Sequence, residues 1–406
     1  MSVQLFPEAT PEQRLLADSA IRVMAANYPP TAVREFAERA EPGDQKLWRL
    51  LGGVGCFRLL ASEDDGGGTL SGNGVADAAI IAAERGARLQ PGPFVGTHVV
   101  IAALSRAASR IGATSLRADA LAALLAGDAV ATWAVNSLLA GSLGSGLSVR
   151  QTPRGVALSG AVAAVQDADE CDWILVSAPV TAPVTALVGD GVRQFLVARS
   201  AAGLSLEKAV SLDLTRRHFR LVLDDVLVPA DAVLGGPDHG AELADWQLAV
   251  AAVLSAAESV GTMDANFSLA LDYAKTRIAF GRPIGSFQGL KHLLARTSLA
   301  LEMAKAVVAG AAEALGADAA DGPAMASIAR AFVSENAVQL AHNCFQVFGG
   351  IGFTWEHDQH LYLRRLASES HLFGGPSWHR QRIWQQSSSA GNGMPAGDGT
   401  REAADA

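Results

Sequence analysis

Cysteine is scarce: the 406 residues hold three, Cys56, Cys171 and Cys344, widely spaced and odd in number. That excludes a disulfide framework and a Cys-x-x-Cys metal site, and it predicts three buried free thiols. Aromatic residues make up only 6 %, and no block of Lys or Arg stands out in a chain with 32 basic against 41 acidic residues and a net charge of −9. Nucleic acid is therefore excluded as a partner, although a locally positive pocket for one phosphorylated ligand is not. Long apolar runs without polar breaks are missing too. The stretch 118–140 contains Gly127 and Asp128, and 248–263 contains Glu258, so neither predicts a membrane span. The opening MSVQLFPEATPEQRLLAD has no basic n-region and no apolar h-region. No signal peptide is expected, and the expected location is cytoplasmic and reducing.

What is present is apolar bulk, 50 % of the residues, in a chain long enough for two or three domains. Three textures follow one another. Residues 1–128 repeat Ala, Leu, Glu and Arg at helical spacing, interrupted by the loop SEDDGGGTLSGNG, which starts at Ser62. Residues 129–235 change to short β-branched runs divided by Gly, Pro or Asp, the pattern of a compact antiparallel β domain, with Asp224 and Asp225 placed at a strand end. Residues 236–388 return to longer helices with apolar stripes that predict a bundle, one of them nearly forty residues long and ending at Phe280. Residues 389–406 are Ser-, Gly- and Ala-rich and read as a disordered tail.

Two motifs carry candidate chemistry. In the first, Tyr273, Arg277, Phe280-Gly281-Arg282-Pro283-Ile284 and Phe287-Gln288 mark a corner between two helices, with Gly281 as C-cap and the next helix starting near Ser286. Such a corner offers Arg277 and Gln288 to a phosphate or diphosphate, and it equally suits an ordinary turn with a solvated arginine. In the second, Gln346 precedes Gly349-Gly350-Ile351-Gly352-Phe353, where glycines let a backbone approach a ligand or simply end a helix. The run Trp355-Glu356-His357-Asp358-Gln359-His360 has no second ligand cluster, and its charges suit a helix start better than a metal.

Taken together, the two motifs resemble the acyl-CoA dehydrogenase family, in which a corner YxxxRxxFGxPIxxFQ precedes QxxGGxGF by about sixty residues. The segments LSGAVAAVQDADECDWILVSA, SLDLTRRHFRLVLDDVLVPADAVLG and GVGCFRLLASEDDGGG are similar to further family segments, so the likeness spans about 15–385. It implies an α+β fold: a helical amino domain, a β-barrel-like middle domain and a four-helix carboxyl bundle. It also implies FAD between the last two, with the adenine-diphosphate end completed by a neighbouring subunit. Arg277, Phe280, Gln288, Gln346, Gly349 and Gly350 match the positions that would hold that end. The implied reaction is α,β-desaturation of an acyl-CoA thioester, in which a carboxylate takes the α-proton and the β-hydrogen leaves as hydride to the flavin. An electron-transferring flavoprotein is the acceptor usual in the family.

The chain departs from that pattern where the base belongs. His371-Leu372-Phe373-Gly374-Gly375 places Gly374 at the usual glutamate, and the alternative base position on the long helix is Ala251. Substitutes are Glu258, read as a buried structural carboxylate, Asp245 near a helix start, and Glu369 and His371, read as facing solvent. Thr132, Asn136 and Ser137 stand where the family has a loop touching flavin and thioester, and are equally plain strand-end residues. The small residues at 374 and 251 are expected to leave room for a bulky acyl group such as a ring system. Three readings follow. One is a subunit of a heteromeric acyl-CoA dehydrogenase, of the lipid- or steroid-side-chain type, whose paralogous partner supplies the glutamate. The others are a self-sufficient FAD enzyme with desulfinase- or monooxygenase-like chemistry, and a non-catalytic structural subunit. A dimer or dimer of dimers is expected in each.

Overall fold

The computed structural model describes residues 3–39, 45–135, 146–180, 191–234 and 240–391. Asn136, Ser137 and the tail beyond Gly391 lie outside them. Six helices come first: α1 (Pro11–Asn27), α2 (Pro30–Arg39), α3 (Gln45–Gly53), α4 (Gly74–Ala87), α5 (Phe94–Ile111) and α6 (Ser115–Ala126). Then come β1 (Ala131–Ala134), β2 (Leu147–Thr152), β3 (Gly155–Gln166), β4 (Trp173–Val180), β5 (Gly191–Ala198), β6 (Leu204–Lys208), β7 (His218–Val228) and β8 (Val233–Leu234). The carboxyl part holds α7 (Gly240–Thr276), the two-residue strands β9 (Ile278–Ala279) and β10 (Arg282–Pro283), and α8 (Gln288–Gly316), α9 (Gly322–Phe348), α10 (Gln359–Glu369) and α11 (Pro376–Gly391). This last helix extends three residues into the segment expected to be disordered.

The middle strands form two four-stranded sheets, β1-β4-β5-β8 and β2-β3-β7-β6, without a closed barrel among the described residues. All pairings are antiparallel except β1 with β4, which run parallel. Asp224 and Asp225 are not at a strand end. They lie inside β7, where Ser159 alone faces both of them, and Asp225 takes a left-handed φ of 49° held by the Ser159 hydroxyl. This is a β-bulge, which a short polar pair tolerates better than a β-branched one. A second irregularity in β3, between Val162 and Val165, puts Ala164 at φ 56°.

Helix α7 is apolar nearly all round from Gln247 to Met263 because every residue of that stretch is buried. It is the one described helix long and apolar enough to cross a membrane, and 89 % of its most apolar window is buried inside the protein. It packs against α8, α9 and α10 on the carboxyl side and against α4 and α5 on the amino side. At the α4–α7 crossing the two backbones nearly touch: a Cβ on Gly86 would sit 1.9 Å from the Glu258 carbonyl oxygen, and one on Gly261 1.8 Å from that of Ala83. The long helix ends at Thr276, four residues before the expected stop. Phe280 and Gly281, at φ 53° and 78°, form the turn of a two-residue hairpin between β9 and β10. Two consecutive left-handed residues suit a type I′ hairpin, so Gly281 serves the hairpin and not a helix cap.

Alanine normally favours a helix over glycine by about 1 kcal/mol. At Gly261 the clash with α4 reverses the sign: Gly261→Ala is expected to destabilise the protein by roughly 1–3 kcal/mol, read as a fall in melting temperature of several degrees.

Candidate cofactor face and catalytic cleft

Arg277 leaves α7 at the hairpin. Its carbonyl accepts from the Ile284 amide at 2.9 Å, which folds the hairpin back on the helix end. Its guanidinium is exposed and has no hydrogen-bond or ion-pair partner among the described residues. Phe280 is 96 % exposed. Gln288 is the first residue of α8, whose N-cap, Phe287, gives no side-chain cap, so the opening amides of that helix are left for another acceptor. Gln346 is exposed on the last turn of α9, and Gly349, at φ 63°, and Gly350 have open space where a Cβ would point. Ring contacts tie the two motifs to one end of the bundle: Tyr273 meets Phe348 at 5.0 Å and Phe348 meets His357 at 4.4 Å between centroids.

A second site lies between the sheets and the 371–374 turn. It is a cavity of about 200 Å³ lined by Thr132, Trp133, Ala163 to Gln166 and His371 to Gly374. Two of its wall residues, Ala164 (56°) and Phe373 (55°), hold left-handed backbones, strain of the kind found at functional sites, and Gly374 beside them is at 108°, which glycine adopts freely. The Trp133 ring lies nearly parallel to that of Phe373, 6.3 Å away and inclined 17°. The Trp133 indole donates to Ser177 at 2.9 Å, and Ser177 in turn accepts from Gln194 at 3.2 Å.

Both usual base positions are sealed. Ala251 is fully buried in α7. A Cβ on Gly374 would meet Trp378 at 2.7 Å and His379 Nε2 at 2.8 Å, and its φ of 108° disfavours any side chain. A side chain at 374 would therefore run into α11, while the turn itself still lines the cavity. His379 donates from Nε2 to the Phe373 carbonyl at 3.1 Å, which holds the turn in place. Its Nδ1 has no partner, and burial, reinforced by Arg330, pushes its pKa down to about 3.

The substitute carboxylates have other work. Glu258 and Glu369 flank Arg216, at 2.7 and 2.9 Å, with all three side chains buried. Glu369 also accepts from Ser259 at 2.9 Å, so the expectation that it faces solvent fails: α10 turns it into the core. Arg365, 2.8 Å from Asp213, donates at 2.6 Å to Thr215 and reaches the carbonyls of Leu89 and Gln90. Arg330 caps the carbonyls of Glu369 and Leu372. Burial opposes charge on Arg216, but Glu258 and Glu369 more than offset it and hold the guanidinium protonated. Asp213, Thr215, Arg216, Arg330 and Arg365 were not singled out from sequence. The cluster of charges in LDLTRRH, set among apolar strands, was the available signal. Asp245 is exposed in the second turn of α7 and pairs with Arg382 at 3.2 Å, and exposed His371 lies on the rim of the cleft.

Thr132 is buried in the cleft wall. Among the described residues no three His, Cys, Asp or Glu side chains gather as metal ligands, and Asp358 is engaged by Arg34. The three cysteines are free and buried, and burial pushes the thiols of Cys56 and Cys344 up to about 12, leaving them unreactive.

A two-sheet middle between helical ends, with a cationic corner on a long-helix bundle, defines the acyl-CoA dehydrogenase class. The family's N-terminal domain matches residues 10–128 and its C-terminal domain residues 238–387, and the chain belongs to the acyl-CoA dehydrogenase family. It is thus a flavin oxidoreductase by family, with FAD as cofactor. It is 32 % identical over 372 residues to acyl-CoA dehydrogenase IpdE2 of Mycobacterium tuberculosis, covering 90 % of this chain and 94 % of the relative. Among solved structures, the steroid ACAD Tcur3481-Tcur3483 superposes with a TM-score of 0.81 at 26 % identity, over 94 % of this chain and 99 % of the other. The ChsE4-ChsE5 complex from Mycobacterium tuberculosis superposes with a TM-score of 0.81 at 24 % identity, over 96 % and 99 %.

Two outcomes are expected. Gly374→Glu should lower the melting temperature, because the new side chain must displace Trp378 and His379, and should add no dehydrogenation by this chain alone. Stability should also fall with acid. An unfolded histidine protonates near 6.5 while buried His379 stays neutral to about 3, so its contribution is complete above pH 6.5 and is lost as pH falls through that window, by about 1 kcal/mol per pH unit. Chemical denaturation of His379→Gln at several pH values should show a flatter slope than the parent.

Proposed function

We propose that this chain is one subunit of a heteromeric FAD-dependent acyl-CoA dehydrogenase that presents the dinucleotide-binding corner, while a paralogous subunit supplies the catalytic carboxylate. The carrying observation is the contrast between the two sites: an exposed, unpaired cationic corner beside base positions that are packed shut. The donor set fits the adenosine-diphosphate end of FAD. Arg277 would neutralise the diphosphate together with the uncapped start of α8, Gln288 and Gln346 would hydrogen-bond its polar edges, Phe280 would cover it, and Gly349 and Gly350 would let the backbone close in. When bound, FAD supplies the two-electron oxidant for α,β-desaturation. The apolar cleft at Trp133 and Phe373 would exclude water from the reacting groups. That ChsE4 and ChsE5 form a complex on the same fold, and that Tcur3481-Tcur3483 is named a steroid ACAD, support a two-chain enzyme acting on a sterol-derived acyl-CoA. The proposal includes domains at 1–128, 129–235 and 236–388, an electron-transferring flavoprotein as acceptor and a cytoplasmic location.

Expression alone and together with a paralogous subunit tests the division. The chain alone should be colourless and the complex yellow and bleached by an acyl-CoA. A yellow chain that bleaches alone overturns the heteromer in favour of a self-sufficient enzyme, and a colourless complex favours a non-catalytic subunit. In the yellow complex, Arg277→Ala should weaken FAD binding about ten- to a hundredfold through loss of one charge-assisted contact; unchanged FAD content would remove Arg277 from the site.

A further inference from the structure

The bundle end carries more exposed aromatic surface than a diphosphate requires: Phe280 is 96 %, Phe353 77 % and Trp355 49 % exposed. Their settings differ. Phe280 stands edge-on to Phe287 and Phe353 is tilted 49° against Phe345, whereas the Trp355 indole lies stacked on His360, 4.7 Å away and inclined 20°. The backbone beneath it is clamped from another part of the chain. Arg34, on α2, donates to the Trp355 carbonyl at 2.7 Å and to the Glu356 carbonyl at 3.0 Å, and it pairs with Asp358. His357, two residues on from Trp355, rests on Phe348, which itself touches Tyr273, so the indole belongs to the same bundle end as Arg277.

An indole backed by imidazole on one face, half open to solvent and fixed by a guanidinium 321 residues away in sequence, is a preorganised plane whose other face has no ring contact among the described residues. Planar heterocycles stack on such planes with little entropic cost. We infer that Trp355 is the stacking platform for a purine ring, the adenine of the dinucleotide, and that Arg34 is its positioning residue. The inference rests on the reading that Arg277 and its neighbours hold the diphosphate.

The test uses the co-expressed complex stripped of flavin and titrated with FAD, ADP and inorganic pyrophosphate. Trp355→Ala should weaken FAD and ADP by roughly tenfold or more and leave pyrophosphate unchanged, while Trp355→Phe keeps most of the affinity. Arg34→Ala should weaken ADP by a smaller factor without changing pyrophosphate. Wild-type ADP affinity in Trp355→Ala overturns the inference. So does a variant that falls apart on gel filtration while its remaining complex binds FAD normally, since Trp355 is then a protein contact. If Arg277→Ala loses FAD and Trp355→Ala does not, the platform fails and the corner stands; if neither loses FAD, the corner reading fails as well.

Discussion

A buried arginine between two carboxylates holds the molecule in its working shape. Arg216 enters from the loop just before β7, Glu258 from the middle of α7 and Glu369 from the end of α10, so one guanidinium joins the approach to the β2-β3-β7-β6 sheet to two helices of the carboxyl part. Arg365 extends the junction to Asp213 and to the carbonyls that follow α4, which brings in the amino-terminal helices. Charges so fully removed from water are tolerated only when each is paired, and losing one partner strands the others at a cost of roughly 3–5 kcal/mol. The junction therefore fixes relative orientation. The β3 wall of the cleft, paired with β7, and the 371–374 turn that follows α10 both adjoin elements it links.

The same network explains why the carboxylates near the cleft are not free for proton transfer. A general base needs an open lone pair within reach of the substrate proton. Glu258 and Glu369 are buried and ion-paired to Arg216, Glu369 also accepts from Ser259, and neither lines the cleft, so even the unpartnered Oε2 of Glu258 is held away from it. At Gly374 the loss goes beyond a missing side chain, because Trp378 and His379 fill the volume and the backbone takes a conformation natural to glycine. On the proposed reading, cofactor binding and acid–base chemistry are separated in this chain: the exposed end of the bundle would offer the donors for a dinucleotide, and the turn at Gly374 leaves no space for a base.

Much of this was legible along the chain. The change from period 3.6 to period 2 near residue 129 and back near 236 anticipates the order of helices and sheets, whereas Arg277, Gln288 and Gln346 became candidates through the resemblance of their paired motifs to the family and not through spacing alone. The failures were local and long-range. A helix was expected to run to Phe280 because Gly281 so often ends helices, whereas two left-handed residues in succession made a hairpin. Glu369 was read as solvent-facing because charge is usually exposed, and nothing near it in sequence names Arg216, 153 positions earlier.

The amino-acid order by itself determined the element types and the family, and it supplied the groups proposed to meet a dinucleotide, since these depend on periodicity and on residues close in sequence. Only the tertiary structure decided which carboxylates are paired, that position 374 has no space for a side chain, and that Arg34 braces the Trp355 loop. Those properties are set by distances between segments far apart along the chain, and a local pattern contains no term for them.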